Sequence, residues 1–175
     1  MVVRGGLPMD DPATCEVYVR EKVLRAWGIP EDRYTGWRSD ASDPQSECER
    51  IQDWLEGNGP MDLCVLGIGT NGHLALIEPG EVLRVRPHVA ELAESSLRHP
   101  MLSKTSAAAR FGLTIGMGDV LKSRKLIVLA SGEGKREVVE RLVKGDSVTP
   151  RFPSSFLRLH SDVTLVLDAA AAGSA

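Results

Sequence analysis

Apolar positions along the chain repeat with two periods, and the switches between them mark out the elements. Cys15, Val19, Val23 and Trp27 recur every fourth residue, which predicts a helix that opens at Asp11-Pro12 and stops at Gly28. A second start signal, Asp43-Pro44, precedes Cys48, Ile51, Trp54 and Leu55, and Gly57-Asn58-Gly59-Pro60 ends that helix. Short apolar runs at Leu63–Leu66, Phe111–Ile115, Lys125–Ala130 and Asp162–Leu167 predict strands. Between them lie a short helix over Met117–Ser123, a helix with Val138, Val139 and Leu142 inward ending at Gly145, and a helical turn within Pro150–His160. Glu31–Ser42 reads as polar loop with Tyr34 and Trp37 as packing anchors. Glu81–Met101 has no clear period, and the small-residue tail Ala169–Ala175 is expected to fray. Strands alternating with helices imply an α/β fold with a largely parallel sheet, and nothing divides residues 1–175 into more than one domain.

Composition narrows the classes. The chain has 175 residues, 42% apolar and 26% charged, enough for a proper core. A formal net charge of −3 gives no basic footprint and argues against nucleic acid as a partner. Cys15, Cys48 and Cys64 are widely spaced and set in apolar patterns, so they read as reduced core thiols without metal or disulfide. No apolar run approaches a membrane span and the N-terminus has no signal-peptide core, so a cytoplasmic protein with no membrane contact is expected.

The stretch Met61–Gly80, MDLCVLGIGTNGHLALIEPG, carries the densest chemistry. Gly67, Gly69 and Gly72 follow a strand directly, where they let the backbone turn tightly and turn N–H groups toward a ligand. The spacing matches G-x-G-x-x-G, but Pro79-Gly80 interrupts any following helix. The acidic residues near the required distance, Glu91 and Glu94, follow no strand pattern, which disfavours a dinucleotide site. His73 can act as general acid or base and Glu78 could orient its imidazole, although an isolated histidine beside a loop is more often structural. Ser131-Gly132-Glu133-Gly134-Lys135 is a second glycine turn between strand and helix. Its N–H groups and Lys135 suit an anion such as phosphate, or Lys135 is a plain surface lysine. Arg136 stands where a Walker motif needs Ser or Thr.

GIGTNGHLALIEPG resembles the signature loop of the glucosamine-6-phosphate deaminase/isomerase family, and four further segments resemble that family in order. These are GGLPMDDPATC, GLTIGMGDVL, KLIVLASGEGK, and PSSFLRLH followed by DVTLVLD. The likeness covers nearly the whole chain. Glu78-Pro79 favours the amino-sugar branch over the related 6-phosphogluconolactonases, and the T-N-G-H form resembles members assigned to galactosamine 6-phosphate. The resemblance implies a Rossmann-like, mostly parallel sheet flanked by helices, and a sugar phosphate as small-molecule partner. It implies that His73 assists opening of the pyranose ring and that Glu78, with Asn71 beside it, holds the working tautomer. Gly69 and Gly72 would line the substrate, and Arg98 and Lys135 would contact its phosphate. The implied reaction is aldose–ketose isomerisation of a 2-amino-2-deoxyhexose 6-phosphate with loss of ammonia, without metal or organic cofactor. Members often oligomerise, so a homo-oligomer is an expectation.

Two departures accompany the likeness. Asn71 stands where glucosamine-type members have aspartate, and an amide stabilises an imidazolium less than a carboxylate does. The family's Asp-Glu pair before the GLP segment, whose Asp moves the C2 proton, falls at Val2 and Val3. The family's first strand and its phosphate loop would precede that point. A non-catalytic sugar-phosphate-binding module or inactive fragment, and a 6-phosphogluconolactonase-like hydrolase, are therefore the alternatives.

Overall fold

The computed structural model describes residues 3–4, 6–12, 14–91 and 111–173. In order they form β1 (Val3–Arg4), α1 (Cys15–Val19), a π-helical turn (Arg20–Leu24), α2 (Arg25–Trp27), α3 (Pro44–Asn58), β2 (Leu63–Gly67), β3 (His88–Glu91), β4 (Phe111–Thr114), α4 (Met117–Lys122), β5 (Lys125–Ala130), α5 (Arg136–Lys144), β6 (Val163–Leu167) and α6 (Ala169–Ala172). Short 3-10 turns lie at Glu31–Arg33, Glu133–Lys135 and Pro153–Leu159.

The expected parallel sheet is present in the order β2-β5-β6. A second sheet, β1-β4-β3, accompanies it and is antiparallel throughout. It includes His88–Glu91, which lies in the stretch without sequence period. Glu91 therefore ends a strand, but in the other sheet, and no helix follows the glycines of the signature loop, so the dinucleotide pattern is not built.

Alternation along the parallel strands sorts their residues onto two faces. Cys64, Leu66, Leu126, Val128 and Ala130 point into the main core, where Leu126 and Val128 are fully buried. Each such side chain contributes about 1.5–3 kcal/mol by leaving water. The same core takes Leu113 and Ile115 from the antiparallel side, Val138, Val139 and Leu142 from α5, and Cys48 and Ile51 from α3. The opposite face of the parallel sheet is open. Leu63, Val65, Leu129 and Val166 are 48%, 54%, 46% and 46% exposed, although parallel sheets are ordinarily covered on both sides.

Three local expectations change. The first helix begins at Cys15, because the Thr14 hydroxyl accepts from the Val17 N–H (3.3 Å) and donates to the Asp11 carbonyl (2.7 Å), leaving Asp11 in the preceding turn. The π-helical turn then breaks the four-residue repeat, so Leu24 is buried and Trp27 is left in solvent. Trp54 is likewise half exposed on α3. The C-terminal tail does not fray as far as Ala172: Asp168 caps α6 through the Ala171 N–H (2.8 Å), and Ala171 is fully buried. Trp37 is buried in the core as anticipated, and Tyr34 donates to the buried Glu16 carboxylate. The three cysteines are free thiols, and burial pushes Cys48 up to about 11. Among the described residues no helix is long and apolar enough to cross a membrane.

Candidate active site

β2 ends at Gly67, and the chain folds back on itself within six residues. Gly69 N–H donates to the His73 carbonyl and Gly72 N–H to the Gly69 carbonyl, both at 2.9 Å. Leu74 bridges to Ile68 and to Ile77, and the Thr114 hydroxyl of β4 accepts from the Leu76 N–H at 3.2 Å. Ala75 has φ 56°, the only positive φ outside glycine among the described residues. That strained corner returns the chain so that Glu78 meets Asn71 and His73. The amide groups of Gly69 and Gly72 are thus spent inside the loop rather than presented to a ligand, contrary to the sequence expectation.

The glycines serve close approach instead. A Cβ at Gly69 would lie 2.3 Å from the His73 ring, and one at Gly72, where φ is 88°, 2.2 Å from the Phe152 ring. Ser154 N–H also grips the Gly72 carbonyl at 2.9 Å, while its own fully buried hydroxyl has no hydrogen-bond partner among the described residues. Sequence reasoning missed Phe152 and Ser154, since nothing local marks a turn that packs on a distant glycine.

The three side chains of the loop meet. Asn71 Oδ1 accepts from the His73 backbone N–H (3.1 Å) and lies 2.8 Å from His73 Nδ1. Asn71 Nδ2 donates to Glu78 Oε2 (2.9 Å), which is itself 3.5 Å from His73 Nδ1. The backbone N–H requires an acceptor and the carboxylate requires a donor, so the amide orientation is fixed. Nδ1 faces an oxygen and must carry the hydrogen. Nε2 is then the free base of the neutral ring, with the side chain 21% exposed. The direct partner of the imidazole is Asn71, and Glu78 stands behind it. This chain of bonds can take a proton at Nε2 and return it.

Lys135 reaches the same loop from the 3-10 turn that follows β5. Its ammonium donates to the Ile68 carbonyl at 2.7 Å, and burial holds its pKa below the usual lysine range. Among the described residues it has no acidic partner. The turn before it is less open to anions than expected, because Gly132 N–H is taken by the Asp168 carboxylate at 2.9 and 3.1 Å. Arg98 lies outside the described residues. No cluster of histidine, cysteine, aspartate or glutamate among the described residues could hold a metal ion.

Residues 6–166 match the profile of a family described as glucosamine-6-phosphate isomerases/6-phosphogluconolactonase. The chain belongs to this family. AgaI of Escherichia coli (strain K12), a candidate deaminase, is 36% identical over 162 residues, covering 93% of this chain and 64% of AgaI. The glucosamine-6-phosphate deaminase of Thermoanaerobacter sp. (strain X514) is 31% identical over 169 residues, covering 95% of this chain and 66% of that enzyme. The solved structure of a monomeric glucosamine-6-phosphate deaminase superimposes with a TM-score of 0.91 at 31% identity, covering all of this chain and 73% of the other. The chain therefore spans about two thirds of the length of these relatives.

Proposed function

We propose that this chain carries the acid–base centre of an isomerase/deaminase acting on a 2-amino-2-deoxyhexose 6-phosphate. The observation that carries the reading is the Glu78–Asn71–His73 chain, which holds His73 Nδ1 against an oxygen and turns Nε2 out of the network at the carboxyl end of β2. His73 takes the proton of the anomeric hydroxyl and returns one to the ring oxygen, opening the pyranose. A proton then moves from C2 to C1 and another from the amine to the C1 oxygen, giving the ketose imine. Water adds to C2, the C–N bond breaks, and ketohexose 6-phosphate and ammonia leave. Asn71 keeps the ring in the tautomer that starts this sequence, and Glu78 holds Asn71. Lys135, with Arg98, meets the 6-phosphate. Family membership and the deaminase relatives support the amino-sugar substrate. The T-N-G-H form favours the galactosamine epimer. The chemistry needs neither metal nor organic cofactor, and the enzyme acts in the cytoplasm.

The test is ammonia release from glucosamine 6-phosphate and galactosamine 6-phosphate side by side, with His73→Ala as control. Turnover that is lost in the variant is the expected result. Folded protein that binds either sugar phosphate without releasing ammonia would refute the enzyme and leave a binding module.

A further inference from the structure

Lys135 is placed by a residue on the last strand–helix junction. Gly132 has φ 88° and ψ 153°, a conformation essentially reserved for glycine, and its N–H points out of the turn at the end of β5. Both oxygens of Asp168 accept from that N–H, at 2.9 and 3.1 Å. Oδ1 also accepts from Ala171 N–H at 2.8 Å, which anchors the carboxylate at the start of α6. Lys135 N–H closes the turn onto the Gly132 carbonyl at 3.0 Å, and the Lys135 side chain then spans to Ile68. A continuous path of hydrogen bonds thus runs from Asp168 through Gly132 and Lys135 to the loop that carries His73.

We infer that Asp168 is a positioning residue for the phosphate subsite: by pinning the Gly132 turn it sets the Lys135 ammonium against the Ile68 carbonyl. This rests on the reading of Lys135 as a phosphate contact. The hydrogen bonds from Ala171 and Gly132 hold the Asp168 carboxyl below the usual carboxylate range, so it is an anion under working conditions. Lys135 is the reverse case, a half-buried cation satisfied among the described residues by a carbonyl. Among the described residues Asp168 makes no ion pair with that ammonium, and instead keeps it fixed where an incoming anion can use it. Without the pin, the turn and the lysine relax toward solvent, and ordering them again opposes binding.

Asp168 also caps α6, so a merely structural role must be separable. Asp168→Asn keeps a good N-cap but leaves one acceptor for two N–H groups and no charge, whereas Asp168→Ala removes cap and pin together. If the pin acts through Lys135, KM for the hexosamine 6-phosphate rises about tenfold in Asp168→Asn, as loss of a charge-assisted bond implies, while kcat changes by less than threefold. Adding Lys135→Met to Asp168→Asn then costs no more than Lys135→Met alone, since one path carries both effects. Additive losses, or a kcat effect larger than the KM effect, would overturn the proposal. A second reading needs no substrate. In protein labelled with 13C-lysine, the Lys135 Cε resonance, assigned by its absence in Lys135→Met, is titrated with pH with and without inorganic phosphate. Asp168→Asn should move its midpoint upward toward that of solvent lysines and weaken its response to phosphate. An unchanged resonance would overturn the positioning role even in a protein that turns over hexosamine 6-phosphate normally. Absence of turnover in the wild type, with the Lys135 shift present, would count against the isomerase reading and for the pin.

Discussion

Gly69→Ala and Gly72→Ala should separate activity from stability, although the two glycines are three residues apart. A methyl at Gly69 would lie 2.3 Å from His73 Cε1 and Nδ1. Ordinary carbon contacts begin near ~3.5 Å, so the ring must withdraw by about 1.2 Å. Starting from 2.8 Å, the Nδ1–Asn71 Oδ1 bond would then stretch to about 4 Å, beyond hydrogen-bond range. A misplacement of about 1 Å in a catalytic group costs on the order of 10²-fold in rate. The folded state loses little, because the ring is partly exposed and can swing outward. The Gly69 backbone also lies outside the left-handed region, so alanine is free to adopt its conformation. The entropic gain of Gly→Ala, about 0.4–1 kcal/mol, roughly offsets a lost hydrogen bond of about 0.5–1.5 kcal/mol. Gly72→Ala differs in both respects. Its φ of 88° strains any side chain by about 1–2 kcal/mol, and its methyl meets the buried Phe152 ring at 2.2 Å, which adds about 1–3 kcal/mol. Urea unfolding with ammonia-release kinetics reads both quantities. Expected are a Gly69→Ala protein of near-native stability with kcat down about 100-fold, and a Gly72→Ala protein destabilised by about 2–5 kcal/mol. A Gly69→Ala protein that unfolds as readily as Gly72→Ala while keeping kcat would refute the geometry.

Further outcomes follow from the same contacts. In Asn71→Asp a carboxylate oxygen replaces the amide nitrogen 2.9 Å from Glu78 Oε2, and two ionised carboxylates at that distance need a proton between or beside them. The acid limb of the pH–rate profile should move up by about one pH unit or more, and a superimposable profile would count against the bond network. Ser154→Ala removes a buried hydroxyl without a partner among the described residues, so its Tm should hold or rise; a loss above about 1 kcal/mol would mean the hydroxyl is satisfied. Glu47 is pushed up by burial, but the Arg50 side chain and the Arg38 N–H outweigh that and hold its carboxyl below the usual glutamate value of 4.5. A depressed folded-state pKa gives stability that is present above the unfolded value and lost as the pH falls through the folded one. The advantage of the wild type over Glu47→Gln in urea should therefore be full at neutral pH and shrink as the pH falls below 4.5; a gap that does not change with pH would refute it.

What was legible in the sequence is what is local. The runs Leu63–Leu66, Lys125–Ala130 and Val163–Leu167 announce strands by their apolar content, and a signature loop puts Asn71, His73 and Glu78 within eight positions. The parallel order β2-β5-β6 agrees with strands separated by helices. Of the antiparallel sheet only β4 was legible, as the run Phe111–Ile115; β3 has four residues in a stretch without period and β1 has two. Trp27 was assigned inward because a regular helix was assumed, and one π turn moves every later residue around the axis. Asp168 falls between the expected strand Asp162–Leu167 and the expected tail Ala169–Ala175 and carries no expected role, although an aspartate between a strand and a small-residue run is an ordinary helix cap. The role of the loop glycines was misjudged for a similar reason: whether an N–H is free depends on where the chain goes next, and this chain returns to close on itself.

The site has two halves that differ in how they are inherited. The proton-handling half is one uninterrupted segment, Asn71 to Glu78, whose members bond chiefly to one another. The half proposed to face the anion is scattered: Lys135 lies 67 residues from the Ile68 carbonyl it meets, and Asp168 a further strand and helix away. Under the proposed function, an exchange of a single short segment would rewrite the chemistry while the residues assigned to the phosphate, placed at the ends of three strands in register, stay as they are. A family whose one description spans both an isomerisation and a lactone hydrolysis is what such a division of labour would produce.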